Sequence, residues 1–162
     1  MLLRSTARGT SWTARFPRGG GASACNLLRL ERLTGSAAYR EPALDFLKGI
    51  KGLAEKYPTA FASSLLAVDA LLDPPLDIAI VGEPREEAAR GLLKEVHRRF
   101  LPGRVLAGTA SPVDAEAAKG LPLLEGKKAV GGKATAYVCR NYTCGPPVTS
   151  PSELGALLDA LP

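Results

Sequence analysis

Asp73-Pro74-Pro75 divides this chain into two parts with different hydrophobic periods. Consecutive prolines lack the amide hydrogens a helix needs, and each pushes the residue before it toward extended backbone. Before the break, apolar residues recur at helical spacing. After it they come in short β-branched runs. The chain is therefore expected to be helical first and α/β second.

In the first part Asn26 is placed to cap a short helix with Leu27, Leu30 and Leu33 at three-residue spacing and Leu28 widening the stripe. Thr34-Gly35 ends it, because glycine accepts the left-handed conformation beyond a helix terminus. A second helix is predicted from Pro42 to about Lys56, its core face being Ala43, Leu47, Ile50 and Ala54 with Phe46 and Leu53 alongside. A third follows Pro58, with Phe61, Leu65, Val68 and Leu72 on one side and Ala62, Leu66 and Asp69 beside it.

In the second part Leu76–Gly82 reads as a buried strand, followed by a helix from about Arg85 to Phe100. That helix presents Ala88, Ala89, Leu92, Leu93, Val96 and Phe100 on one broad face. Val105–Thr109 is a second strand, and strand–helix–strand predicts a right-handed parallel unit. Turns fill 110–132, Ala134–Cys139 is a third strand, and Ser152–Leu161 is a final amphipathic helix. The fold class is mixed α and α/β: helical hairpins, then a small three-stranded α/β tail. A single open layer of helices buries too little, since ordering each residue costs about 1–2 kcal/mol and a fully buried Leu or Phe returns only about 1.5–3 kcal/mol. The helices ask for neighbours beyond this chain.

The net charge of +5 is local. Residues 1–40 hold seven arginines (Arg4, Arg8, Arg15, Arg18, Arg29, Arg32, Arg40) against Glu31, and the remaining 122 residues hold 14 basic and 15 acidic side chains. A nucleic-acid-binding domain carries its charge on the folded body, so no nucleic-acid partner is expected. No apolar run approaches the roughly 20 residues that span a bilayer, so no membrane partner is expected either. Residues 1–21 form a basic leader, expected to be unstructured, with Gly19-Gly20-Gly21 as a joint; residues 22–73 are the helical hairpins and 74–162 the α/β unit. The leader's composition also mimics an organelle transit peptide. The expected location is cytoplasmic, or organellar if the leader acts as a transit peptide.

Several separated motifs occur in order: Asn26-Leu27-Leu28-Arg29-Leu30 with Leu33-Thr34-Gly35 and Tyr39, Ile80-Val81-Gly82, Phe100-Leu101-Pro102, and Ala136-Tyr137-Val138-Cys139-Arg140-Asn141-Tyr142-Thr143-Cys144 with Pro147-Val148-Thr149-Ser150-Pro151. Together they resemble the C-terminal end of the spermatogenesis-associated, thioredoxin-domain-containing protein family, over about residues 22–162. The resemblance implies a longer parent with a thioredoxin-like domain and a barrel of paired helices similar to six-hairpin glycosidases. This chain would supply the terminal helical hairpins of that (α/α) barrel and the α/β tail, and would be a truncated, non-catalytic segment on its own. Its partner would be the missing N-terminal region; the whole family is expected to act on a carbohydrate or thiol substrate, with a small-molecule or carbohydrate ligand. The stretch before the first helix departs from the family's Gly-Asn-Ser pattern, reading Gly19-Gly20-Gly21-Ala22-Ser23-Ala24-Cys25.

Catalytic residues are not identifiable, and the sequence implies no cofactor and no metal. The candidate redox or motif residues are Cys139, Asn141 and Cys144. The pair's four-residue spacer differs from the two-residue spacer of thioredoxin-type dithiols. Zinc would need two further ligands, and only Cys25 and His97, both distant, are available. The residues favour a strand-end turn with both cysteines packed as small apolar groups; a reversible disulfide comes second and a metal third. Asn141 is suited to fix the turn through its side-chain amide. A self-sufficient α/β binding module with a redox-sensitive Cys139/Cys144 turn is the alternative to the truncated segment. Gly82 sits in an acidic stretch that would repel phosphate, His97 is expected on a solvated helix face, and Asp69, Asp73 and Asp77 in capping and surface roles.

Overall fold

The structure, a computed structural model, describes residues 18–73, 76–110, 118–141 and 143–161. Three helices come first: α1 (Arg18–Thr34), α2 (Arg40–Lys56) and α3 (Ala62–Leu72). Single 3-10 turns at Ala37–Tyr39 and Pro58–Phe61 join them. Then follow β1 (Asp77–Val81), α4 (Glu87–His97), β2 (Val105–Thr109), β3 (Thr135–Arg140), β4 (Thr143–Cys144) and α5 (Pro151–Asp159). The order is the expected one, helices and then an α/β tail, with four strands rather than three. Residues 1–17 of the expected leader and the prolines of the break lie outside the described residues.

Helix α1 packs against both α2 and α3 around a small core of Ala24, Leu28, Ala43, Leu47 and Ala67. It begins at Arg18, not at Asn26, and so takes in residues 18–21 that the sequence assigns to the leader. Gly20 and Gly21 are contact residues and not a joint. A Cβ on Gly20 would strike the Phe46 ring, and one on Gly21 would lie 2.7 Å from the Ser64 amide nitrogen. Asn26 therefore sits exposed inside the helix. Gly35 does end it, at φ +68°, its amide donating to the Glu31 carbonyl at 2.7 Å.

In α2, Ala43 and Leu47 are buried as expected, but Leu53 is 55% exposed. The face of α3 is the larger correction. Ser64 and Ala67 are buried, with Val68 and Leu71 packed beside them, whereas Leu65, Leu66 and Leu72 are exposed. The helix is apolar on nearly every side, so periodicity alone cannot choose the face that packs.

The sheet has the order β2-β1-β3-β4, with β1 parallel to β2 and antiparallel to β3, and β3 antiparallel to β4. Successive side chains of a strand alternate between faces. One face (Ile78, Ile80, Ala136, Val138) joins Leu92 and Val96 of α4 and Leu154 and Leu158 of α5 in the larger core. All five residues of β1 are buried, so the opposite face is covered too. There Tyr137 Oη donates to the Lys128 carbonyl at 2.7 Å and Thr135 Oγ1 accepts from the Val130 amide at 2.9 Å, holding the 124–133 loop on the sheet.

Helix α4 stops at His97, so Phe100, expected on its buried face, is 92% exposed. Helix α5 starts one residue earlier than expected. Ser150 Oγ accepts from the Glu153 amide at 3.2 Å, and Pro151 occupies the first turn, where its missing amide hydrogen costs nothing. Arg99 then ties α4 to α5: its Nε and Nη2 donate to the two Asp159 oxygens at 2.6 and 2.8 Å, and Nη1 donates to Glu95 Oε2 at 2.7 Å. Gly155 leaves room for that guanidinium, since a Cβ there would lie 2.9 Å from Arg99 Nη2.

Candidate functional site

One rung of the sheet runs Val105, Asp77, Cys139, Cys144. Side chains opposite one another on a rung share a face. On this rung they bring together a buried carboxylate and both cysteines that the sequence singles out.

Cys139 and Cys144 are bonded, with an S–S length of 2.08 Å. The residues favoured two packed thiols; the register explains the difference, because direct cross-strand pairing sets the two Cα atoms 3.9 Å apart. Cys139 is 2% exposed, whereas Cys144 lies exposed on the two-residue edge strand. Asn141 turns the chain between them at φ +50°, a left-handed conformation that asparagine tolerates better than most residues. Tyr142 lies outside the described residues. Cys25, the remaining cysteine, is a free thiol on α1 that donates to the Ser63 carbonyl at 3.6 Å. Burial raises its pKa, with the Arg29 charge opposing, so the thiol form is favoured.

Asp77 is not a surface cap. It is 4% exposed, and Arg32 of α1 donates to both of its oxygens, Nε to Oδ1 at 2.9 Å and Nη2 to Oδ2 at 2.7 Å. Burial raises the Asp77 pKa above the usual carboxylate range; the hydrogen bond and charge of Arg32 pull the other way without cancelling it. Arg32, counted by sequence with the leader's excess charge, is thus part of the folded body. Neither partner was found from sequence, since 45 residues separate them.

Next to this rung, where the ends of α1 and α3 meet those of α4, β3 and α5, lies a cleft of about 560 Å³. Leu66, Leu71, Phe100 and Leu101 give it an apolar wall, and Arg29, Arg140, Asp69 and Asp73 add charged groups. Arg140, between the two cysteines in sequence, reaches into this wall. Its Nη2 is 4.0 Å from Asp73 Oδ1, and its buried Nε has no hydrogen-bond partner.

The other candidates separate. Asp69 and Asp73 line the cleft, but Asp77 faces Arg32. His97 is exposed, with Nδ1 3.0 Å from Arg104 Nη2. Gly82 is buried against Ala134, and a Cβ there would lie 2.7 Å from the Ala134 Cβ, so its small size serves packing. Among the described residues no three His, Cys, Asp or Glu side chains gather as a metal would require. No helix among them is long and apolar enough to cross a membrane.

The order of elements and the cysteine-closed hairpin carry the same motifs that suggested a relationship, and comparison with curated proteins extends it. The chain is similar to spermatogenesis-associated protein 20. It is 30% identical over 142 residues to the proteins of that name from Rattus norvegicus and Homo sapiens, and 29% identical to that from Mus musculus. The alignments cover 88% of this chain and 18% of each relative, so the chain spans less than a fifth of the curated proteins it matches. No family model matches the chain, and no solved structure matches it.

Proposed function

We propose that this chain works as the C-terminal packing unit of a longer protein and is not catalytic alone. The outer face of α3 carries the reading. Asp69 is its single charged residue, and a helix apolar on nearly all sides suits burial on all sides. Yet Leu66 is 61% and Leu72 80% exposed, with Phe100 at 92% across the cleft mouth. The much greater length of the curated relatives supplies the kind of neighbour that such a face needs. In the longer protein the family resemblance suggests a thioredoxin-like domain and a barrel of paired helices, with α1 to α3 as its last hairpins. Action on a carbohydrate or thiol substrate, and a cytoplasmic location, belong to that whole.

The test substitutes Leu66 and Leu72 by Asp in the chain alone and in the longer protein. The stability of the isolated chain is expected to stay the same, while the longer protein unfolds at lower temperature. Equal tolerance in both would refute the reading.

A further inference from the structure

We infer that Cys139–Cys144 is a reversible thiol–disulfide exchange site, opened by a dithiol, whose state decides whether Arg140 is held in the cleft. The inference is independent of what covers α3. Its grounds are the position of the bond and the groups that the bond constrains.

The outer strand β4 has two residues, paired with β3 only at Cys139–Cys144 and Arg140–Thr143. Beyond the edge pairing, the Gly145 amide donates to the Val138 carbonyl at 3.0 Å, and Val148 exchanges two backbone hydrogen bonds with Ala136 at 2.8 and 3.0 Å. The chain is thus anchored after Gly145, and the bond acts on the two-residue edge itself. Within the hairpin one feature opposes the arrangement, the buried, unpartnered Nε of Arg140. A buried donor without a partner is costly and is relieved by reaching water. The Asp73 oxygen at 4.0 Å is too distant to compensate fully. The disulfide keeps the guanidinium in the cleft wall against that pull.

Access is one-sided. Cys144 is exposed on an edge and Cys139 is buried beneath it, so an incoming thiolate attacks the Cys144 sulfur. The Cys139–Cys144 bond breaks, Cys139 leaves as a thiolate and takes up a proton, and a mixed disulfide joins Cys144 to the reagent. The second thiol of the dithiol then attacks its own bonded sulfur, releasing Cys144, which is protonated in turn. In total two electrons and two protons pass to the protein, and the dithiol becomes a cyclic disulfide. The freed hairpin lets Arg140 leave Asp73 and hydrate its Nε, which opens the cleft on the β3 side.

Hydrogen exchange by NMR on the whole chain tests this, comparing the oxidised form, the form reduced with dithiothreitol, and Cys144→Ser. Reduction and Cys144→Ser are both expected to speed exchange at the Gly145 amide and the Arg140 Nε–H by about tenfold or more, with the Leu47 and Leu92 amides unchanged. Adding the cyclic disulfide of dithiothreitol in excess should restore protection in the reduced wild-type chain and not in Cys144→Ser. Unchanged exchange at Gly145 and Arg140 would overturn the inference. So would faster exchange everywhere, which would make the bond a global staple, and so would failure to re-form the bond.

Discussion

Arg32 at the end of α1 and Asp77 at the start of β1 form a buried two-point ion pair, with side-chain exposures of 11% and 6%. The pair ties the helical layer to the sheet. It is held at a cost, since burial outweighs Arg32 in setting the Asp77 pKa. A pair of this kind is most sensitive to losing one member, because the other is then a buried, uncompensated charge.

Arg32→Ala and Asp77→Ala are each expected to lower the unfolding free energy by about 3–5 kcal/mol, read from urea denaturation. The double substitution Arg32→Leu with Asp77→Leu should recover most of that loss. A double variant no more stable than either single would show that the pair itself supplies net stability.

Acid titration should show carboxylates of opposite behaviour. Hydrogen bonding to Arg99 lowers the pKa of Glu95 and Asp159, so their contribution is present above the ordinary carboxylate range and is lost as pH falls through their folded values. Asp77 is raised, so its contribution is full below the unfolded value and falls away as pH rises through the folded one. Carbon-13 NMR of the carboxyl groups should find that, as pH is lowered from neutrality, Asp77 takes up its proton before Glu95 and Asp159 do. Arg99→Ala should return Glu95 and Asp159 toward ordinary values and leave Asp77 in place.

Thiol titration of the chain unfolded without reductant should give one reactive group, Cys25, and three after reduction. With a sequence separation of only 5, the bond closes a small loop and is expected to contribute about 2 kcal/mol. Three thiols before reduction would contradict the pairing.

Glycines inside the helices should respond differently to alanine. A Cβ on Gly21 meets the α3 backbone, so Gly21→Ala is expected to destabilise by about 1–3 kcal/mol despite alanine's better helix propensity. Gly49 and Gly52 have nothing within 4 Å, and alanine at either should stabilise by about 0.5–1 kcal/mol. Thermal unfolding of the three variants separates the two effects.

The strands were legible because β1 is buried on both faces and so reads as an unbroken apolar run. Turn chemistry at Gly35 was legible for a local reason, the need for positive φ. What failed depended on distant partners. Gly20 and Gly21 looked like a flexible joint because their reason for being small lies on Phe46 and Ser64. Asp77 looked like a surface cap because Arg32 lies 45 residues away. The cysteines looked like two packed thiols because the register that pairs them is set by the sheet. In α3 the apolar stripe of Leu65 and Leu72 exists, but Ser64 and Ala67 offer the closer approach to α1, and the leucines are left outside.

That outward face is the most direct place to measure. With Cys25 replaced by Ala, a cysteine introduced at Leu66 is reacted with a maleimide in the isolated chain and in the longer protein. Rapid labelling of the isolated chain and at least about tenfold slower labelling in the longer protein are expected if α3 is a covered seam. Equal labelling rates in the two would contradict it.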